Sequence, residues 1–320
     1  MGRFLAYRIL NLIPVLLVVT LAVFTVTSLI PGDPARMLLG PEAPERSVQA
    51  LRDQMGLNRP FHERYLLWLG QVACGDLGQS YLSKRPVAEY ITRSFLVTLE
   101  LSMGAMLVAL AIAIPTAIVS AVKKGSAFDL VATVLAFGGI SMPTFWLGIL
   151  LMLLFAVRLQ VLPAVGYVNP TESLMGNLRA MVLPSLALGI PISTQLMRYL
   201  RAGLLRVLDE DHVLTARMKG LRERRVLVAH VLKNALIPFV TIVGIQVGYL
   251  LAGAVVIEEV FALPGMGRLA LASVFDRDYQ IIQGVVLVAA CLFVFINFIV
   301  DILYAVLDPR IRLGGGAREG

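Results

Sequence analysis

The hydrophobic positions of this 320-residue chain gather into six long stretches that contain no Asp, Glu, Lys or Arg. Each stretch is 18 to 28 residues long, and a helix of about 20 residues crosses the hydrocarbon core of a bilayer. A buried helix of a water-soluble protein rarely continues this far without a charge. The pattern therefore predicts an all-α membrane protein with six transmembrane helices, at Ile9–Gly32, Leu101–Val122, Leu130–Val157, Ala180–Met197, Asn234–Ile257 and Tyr279–Val300.

The polar sequence after the first stretch predicts a small, partly helical cap. Residues 31–94 are rich in turn-forming Pro, Gly, Asn and Asp, and two parts, Glu45–Met55 and Phe61–Val72, carry apolar residues at helical spacing. The segment has too little apolar sequence for a large core of its own. We expect a first transmembrane helix with an extracytoplasmic (periplasmic) cap at 1–94, a five-helix core at 95–307 and a cytoplasmic tail at 308–320.

Composition and charge support the membrane interpretation and indicate an orientation. The chain is 58% hydrophobic and 15% charged, against roughly 45–50% and about 25% in average soluble domains. If the N-terminus is cytoplasmic, the cytoplasmic segments hold 16 Lys and Arg, and the two short outer loops hold four. Because basic residues concentrate in cytoplasmic loops, we expect both termini in the cytoplasm. The net charge of +7 then reflects topology, and we expect no nucleic-acid partner.

The polar connection between Arg198 and Lys233 is the most informative segment. Acidic residues at 209–211 precede a helical pattern, and acids are favourable at the positive end of a helix dipole. Gly220 interrupts this pattern, and a second amphipathic stretch follows at Val226–Leu232. Two short helices around a glycine are expected. They form either a membrane-surface element attracted by anionic lipid or a docking element for a cytoplasmic partner.

Small residues recur at every fourth position of the fifth stretch. Gly244, Gly248 and Ala252 place small side chains on one helix face, which favours close helix packing. The spacing leaves open whether the neighbour is a helix of this chain or of a second subunit.

Ordered motifs run along nearly the whole chain. They are Ile30-Pro31-Gly32-Asp33-Pro34, Gly75-Asp76-Leu77-Gly78, Thr98-Leu99-Glu100, Ser141-Met142-Pro143, Thr215-Ala216-Arg217-Met218-Lys219-Gly220-Leu221, Gly244-Ile245-Gln246-Val247-Gly248, Pro264-Gly265-Met266-Gly267, Arg277-Asp278-Tyr279 and Asp308-Pro309-Arg310-Ile311-Arg312. In this order they resemble the permeases of bacterial ABC importers. The resemblance is strongest to the first-named permease of the dipeptide, oligopeptide and nickel uptake systems.

This resemblance implies a type I ABC importer permease fold in the bacterial cytoplasmic (inner) membrane. The chain would form half of a solute pathway beside a homologous second permease, with two cytoplasmic ATPase subunits and an extracytoplasmic solute-binding protein. ATP and Mg would bind to the partner ATPases, and this chain would bind no cofactor. Di- or oligopeptides are the expected cargo. Nickel chelates, glutathione and glycosides stay open, because in such systems the binding protein does most of the selecting.

The resemblance also implies roles for individual residues. The polar connection would sit in a cleft of an ATPase subunit and move as a lever when the ATPase pair closes. Where the general importer motif has Glu-Ala-Ala before its glycine, this chain has Thr215-Ala216-Arg217. The expected contact residues are Glu210, Thr215, Ala216, Arg217, Lys219, Gly220 and Arg222. The candidates to line the solute pathway are Ser141, Met142 and Gln246.

Sequence signals of catalysis are missing from the chain. It has no Gly-Lys dipeptide, and hence no P-loop, and it has no His-Glu-x-x-His. We therefore expect a transport subunit with no catalytic residue and no metal site. The main alternative is an ion-coupled secondary carrier, which typically places acidic groups deep in the bilayer. The candidates Glu100 and Asp301 border their stretches, where snorkelling of the side chain or helix capping explains them. A scaffold without transport would not need the shaped polar connection.

Overall fold

The computed structural model describes residues 2–29, 33–40, 42–252 and 254–307. Within these ranges the chain is predominantly helical, and the β-type pairing is an isolated bridge between Gln79 and Pro86. Two segments, Met152–Arg158 and Val226–Leu232, have the wider turn of a π-helix. The α-helices are α1 (Gly2–Leu29), α2 (Pro34–Leu39), α3 (Glu45–Gln54), α4 (Phe61–Ala73), α5 (Val87–Val122), α6 (Ala127–Ser141), α7 (Thr144–Leu151), α8 (Leu174–Leu208), α9 (Asp211–Met218), α10 (Glu223–Arg225), α11 (Lys233–Leu251), α12 (Val255–Val260), α13 (Met266–Phe275) and α14 (Tyr279–Leu307).

The described helices confirm the predicted all-α fold with six apolar spans. Five segments are long and apolar enough to cross a membrane, and a sixth crossing results when α6 and α7 form one bent span. Helices α5 and α8 contain 36 and 35 residues, so both are longer than the roughly 20 residues that a crossing needs. The apolar segments are Leu10–Leu29, Val87–Val122, Leu174–Leu208, Glu223–Leu251 and Tyr279–Val300, together with the bent pair Ala127–Gly139 and Thr144–Arg158.

The third span is two helices rather than the single helix predicted at Leu130–Val157. Helix α6 ends at Ser141, Met142 has an extended backbone, and α7 begins after Pro143. The two helices differ in direction by 105°. Proline lacks a backbone N–H and disfavours helical geometry at the preceding residue, which explains the break at Met142. The prolines inside α1, α5, α8 and α11 do not interrupt their helices.

The fifth span also differs from its predicted bounds of Asn234–Ile257. It begins at Glu223, continues through the π-helical segment into α11 and ends at Leu251. Ile257 lies in the separate short helix α12, where it is buried. A stretch without charges thus contained one membrane helix and the start of the next element, because apolar composition does not mark a helix end.

The described residues form two compact units. One unit contains Gly2–Val97 together with Pro264–Leu292, and the other contains Thr98–Leu263 together with the chain from Phe293. The first unit includes the two predicted cap helices, observed as α3 and α4. Its apolar packing includes Phe24 and Trp68, and part of α14 joins it, so the cap does not have a core of its own. In the second unit, α8 packs against α6, α7 and α11.

Candidate coupling helix and candidate pathway residues

The polar connection after α8 folds into one short helix that is followed by a tight turn. Helix α8 ends at Leu208, and Asp211 provides a negative charge in the first turn of α9. The backbone N–H of Gly220 donates to the carbonyl of Arg217 at 2.9 Å, and Gly220 has a φ of 73°. A side chain at that φ is unfavourable, so glycine is suited to the turn that ends α9.

Helix α9 has one anchored face and one exposed face. Val213 is completely buried and Ala216 nearly so, and α9 packs against the π-helical segment Val226–Leu232. On the opposite face, Met218 is 81% exposed and Leu214 is 58% exposed. An apolar pair with this exposure at the turn of a short helix is a surface that a partner protein can cover.

An ion pair joins the two sides of the Gly220 turn. The guanidinium of Arg217 contacts both carboxylate oxygens of Glu223, at 2.6 Å and 3.3 Å. This hydrogen-bonded carboxylate raises the pKa of Arg217 above its ordinary value, so the arginine stays charged. The pair is about half exposed, so its contribution to stability is small.

The other predicted contact residues surround α9 and are exposed. The carboxylate of Glu210 lies 3.1 Å from Nδ1 of His212, and the hydroxyl of Thr215 donates to the carbonyl of Asp211 at 2.9 Å. Lys219 and Arg222 lie in the turn with their side chains exposed. Thr215 therefore uses its hydroxyl within α9. All the predicted contact residues except Ala216 are exposed.

The second amphipathic stretch of the connection is not a separate helix. Residues Val226–Leu232 form the π-helical start of the same helical segment that continues through α11 to Leu251. The prediction of two independent short helices is therefore wrong in its second part. Helix α9 therefore packs directly on a segment that is continuous with a membrane span, so a movement of α9 would act on that span.

Residues predicted to line the pathway occupy different places. Met142 contributes to a cavity of about 460 Å³ in the second unit, which α5, α6 and α8 line with residues that include Thr116 and Thr194. Ser141 is the last residue of α6, and its side chain lies outside the described part of the structure. The described residues that line this cavity do not include Gln246. Its amide donates to Gln195 Oε1 at 2.7 Å between α11 and α8.

The small residues of the fifth span contact the last helix at two of the three predicted positions. A methyl group at Gly244 would overlap the side chain of Val300, and one at Gly248 would lie 3.1 Å from the ring of Phe293. Ala252 is exposed and lies after the end of α11, so it does not take part in this packing. The periodicity stops there because the helix itself stops at Leu251.

An ion pair with a buried carboxylate was missed from the sequence. Arg201 Nε and Nη2 each lie 2.8 Å from one oxygen of Asp129, and Ser120 Oγ donates to the same carboxylate. The backbone N–H of Gly125 adds a further bond at 2.9 Å. Asp129 is the third residue of α6, after the Ser126 N-cap, so a local capping role was the only signal in the sequence. The arginine that it binds is 72 residues away.

Two acidic side chains bear on the ion-coupled alternative. Glu100 lies inside α5 rather than at its border, and it accepts a hydrogen bond from the hydroxyl of Tyr167 at 3.0 Å. Burial, assisted by this bond, raises the pKa of Tyr167 to about 12, so the phenol remains a donor. Glu258 was not singled out from the sequence. It is completely buried and accepts from Thr98 Oγ1 at 2.7 Å. Among the described residues, no three His, Cys, Asp or Glu side chains cluster as metal ligands.

The helical architecture is similar to that of two solved ABC transporters. A solved amino acid ABC transporter with histidines aligns with a TM-score of 0.51 at 16% identity, over 70% of this chain and 94% of its own. The MetNI methionine ABC transporter in an inward-facing conformation aligns with a TM-score of 0.54 at 15% identity, over 69% and 97%. These similarities establish the fold.

The sequence profile described as "Binding-protein-dependent transport system inner membrane component" matches residues 113–313. The corresponding N-terminal profile matches residues 1–102. The glutathione transport system permease protein GsiC of Salmonella choleraesuis (strain SC-B67) is 42% identical over 312 residues, covering 98% of this chain and 99% of the relative. GsiC of Escherichia coli (strain K12) is 40% identical over the same length. This chain therefore belongs to the family of binding-protein-dependent transport system inner membrane components.

Family membership confirms the main functional predictions. The chain is a multi-pass inner-membrane permease component of an ABC importer rather than an enzyme. Because transport in this family depends on a binding protein, the two alternatives, an ion-coupled carrier and a membrane scaffold without transport, are excluded.

Proposed function

We propose that this chain is one of two homologous permease subunits of an ATP-driven importer, with both termini in the cytoplasm. In this proposal α9 docks into a cleft of a cytoplasmic ATPase subunit, and ATP and Mg bind to a pair of such subunits. An extracytoplasmic solute-binding protein delivers the cargo to the opposite face. Binding-protein-dependent importers work with ATPase and binding-protein partners, and the second permease is the additional element proposed here.

The anchoring of α9 is the observation that carries this proposal. Its buried Val213 packs against the segment that continues into the fifth span, while its exposed Leu214 and Met218 are available to a partner. A docked ATPase that changes conformation would displace α9 together with this span. Such coupling needs contacts that differ between two states of the assembly, and an exposed apolar surface with a buried anchor can provide them.

We propose small peptides of the glutathione class as the cargo. The similar permeases named above serve glutathione transport systems and align over nearly their whole length. Within this chain, Met142 and Gln246 remain the proposed pathway residues in the described structure, together with Ser141. The Gln195–Gln246 amide pair offers uncharged hydrogen-bonding groups in a membrane span, which suits a peptide better than an inorganic ion.

The coupling proposal is tested by Gly220→Ala, with Gly75→Ala as a matched control. Both glycines follow a short helix with positive φ, both N–H groups donate at 2.9 Å to the carbonyl three residues earlier, and neither would give a methyl group a clash. The local strain should therefore be similar, at roughly 1 kcal/mol. We expect Gly220→Ala to lower ATP-driven glutathione uptake by proteoliposomes of the assembled importer at least tenfold, and Gly75→Ala to change it little.

Membrane insertion and subunit assembly are measured in parallel, by extraction and co-purification. Full uptake by Gly220→Ala would contradict the proposed coupling between the ATPase and the membrane span through α9. Uptake of dipeptides but not glutathione, with the same dependence on Gly220, would correct the cargo and leave the coupling proposal intact.

A further inference from the structure

The first compact unit contains a polar cavity that the transport proposal does not use. Its volume is about 270 Å³, and it lies among the end of α1, the cap and the first residues of α14. The residues that give it chemical character are Arg52, Arg64, Tyr81, Asp33, Thr27 and Ser28. All of them belong to the same unit.

The cavity has more positive than negative charge. The lining residues include two arginines and one carboxylate, that of Asp33. One oxygen of Asp33 accepts from the backbone N–H of Ala35 at 3.1 Å, where it caps α2. The other oxygen is 3.6 Å from Arg52 Nη1, beyond hydrogen-bonding distance. Asp33 therefore balances Arg52 only in part.

The two guanidinium groups have N–H donors that are available to a ligand. Arg52 Nε is buried and has no hydrogen-bond partner among the described residues. A buried donor without a partner is unfavourable, and an accepting ligand would remove this cost. Arg64 lies over the ring of Phe24, 5.8 Å from its centre, and none of the ion pairs within the described ranges includes it. A fork of arginine donors matches the oxygens of a phosphate group.

The phenol of Tyr81 provides a further donor. Burial is the main reason why the pKa of Tyr81 is raised above its ordinary value, with the carboxylate of Asp278 adding to the effect. The hydroxyl therefore keeps its proton over the whole physiological range. An O–H group of this kind adds a neutral hydrogen bond to an oxyanion.

The position of the cavity along α1 matches the level of lipid headgroups. The apolar part of α1 runs over 20 residues from Leu10 to Leu29, which at 1.5 Å per residue spans about 30 Å, the thickness of the hydrocarbon core. Thr27 and Ser28 line the cavity from the last turn of this stretch. If α1 crosses the bilayer over this stretch, the cavity lies at the level where the hydrocarbon ends and the lipid phosphates begin.

Helix α4, which carries Arg64, has an exposed apolar face. Leu66 and Leu67 are more than half exposed, while Trp68 on the other side is buried against Phe24 of α1. Exposed leucines next to a membrane span favour contact with lipid chains. A ligand with a phosphate in the cavity and chains beside Leu66 and Leu67 would satisfy both features.

We propose that this cavity binds the phosphate group of a phospholipid, held between the guanidinium groups of Arg52 and Arg64 with the hydroxyl of Tyr81 as a third donor. The site is independent of the proposed cargo and of the ATPase contact. It fastens the cap to the end of α1 through the lipid, so that the bound lipid stabilises the first compact unit.

The test uses the full-length chain in maltoside micelles, which contain no phosphate. Thermal unfolding is followed while phosphatidylglycerol is added, and native mass spectrometry counts the lipid that stays bound. We expect phosphatidylglycerol to raise the Tm of the unsubstituted chain by several degrees. Arg52→Gln and Arg64→Gln should weaken this binding at least tenfold, and Tyr81→Phe should weaken it less. Arg46→Gln removes an exposed arginine from the same helix as Arg52 and should leave binding unchanged.

A second arm separates lipid from free phosphate. Inorganic phosphate is added to lipid-free micelles at the same phosphorus concentration, and we expect no comparable rise in Tm. An equal, arginine-dependent rise would overturn the lipid as the ligand in favour of a soluble oxyanion. An equal response to phosphatidylglycerol in the unsubstituted chain and in Arg52→Gln would overturn the site. Arg52→Lys keeps the charge but loses the fork, so it gives the same comparison if Arg52→Gln does not fold.

Discussion

Ser80 Oγ donates a 2.5 Å hydrogen bond to Asp278 Oδ2, which connects residues 198 positions apart. Both side chains are buried within the first compact unit. The second oxygen of Asp278 accepts from the backbone N–H of Tyr81 at 3.3 Å and from that of Ile281, in the first turn of α14, at 3.5 Å. One carboxylate thus connects the loop before α5 with the start of the last span.

We expect Asp278→Ala to destabilise the first unit. The substitution leaves buried donors on Ser80 and Tyr81 without an acceptor and removes a helix-capping group, a loss of about 1–3 kcal/mol. The measurement is the Tm of the purified chain. Asp276→Ala, two residues away and exposed, is the control and should change Tm little. Equal Tm values for the two variants would show that the hydrogen bonds of Asp278 do not contribute to stability.

The Asp129–Arg201 pair should be sensitive to the loss of either partner. Asp129→Asn keeps the shape but removes the charge that Arg201 and Ser120 bind, so we expect a Tm several degrees lower. Arg201→Gln should have an effect in the same direction. Each single variant leaves one charge without its partner, whereas the double variant leaves none. The double variant should therefore be destabilised by less than the sum of the two single effects. Arg206→Gln, on the exposed side of α8, is the control. If the Tm losses of the two single variants simply added in the double variant, Asp129 and Arg201 would not interact.

Close packing at Gly244 predicts a clash that a second substitution relieves. Gly244→Ala places a methyl group against Val300, and overpacking of this kind costs typically 1–3 kcal/mol. We expect a lower Tm for Gly244→Ala and recovery in the double variant with Val300→Ala. Gly70→Ala is the control, because Gly70 lies within α4 with open space around it. There alanine should be neutral or stabilising. A normal Tm for Gly244→Ala would contradict the contact.

The two faces of α9 should separate folding from coupling. Val213→Ala removes buried methyl groups and should lower both Tm and uptake, with a loss of about 1 kcal/mol or more. Met218→Ser changes only an exposed side chain and should leave Tm unchanged while it reduces ATP-driven uptake severalfold. The two variants are compared in the same proteoliposome assay. Normal uptake by Met218→Ser would exclude this face from the partner contact.

Features set by local sequence were predictable here. The six apolar stretches, the cap helices α3 and α4 and the helix before Gly220 each have a signal within about 30 residues of chain. Their formation depends on helical periodicity, turn residues and apolar length, which are properties of a single segment.

Features set by contacts across the chain were not predictable. The partner of Asp129 is 72 residues away, and the buried state of Glu258 depends on helices that the sequence cannot place together. The break between α6 and α7 has a cause that is visible in the sequence, namely Pro143. Four other spans tolerate prolines without breaking, so the proline alone did not distinguish a kink from a stop.

The π-helical segment at Val226–Leu232 fixes the rotational phase between α9 and the fifth span. A π-turn accommodates one residue more than an α-turn, and each residue of an α-helix turns the chain by about 100°. Removing one residue from this segment would turn α11 about its axis by that amount, and Gly244 and Gly248 would no longer face Val300 and Phe293. The length of this segment is therefore as constrained as its composition, whereas the connection at 159–173 contains no helix whose phase would be disturbed.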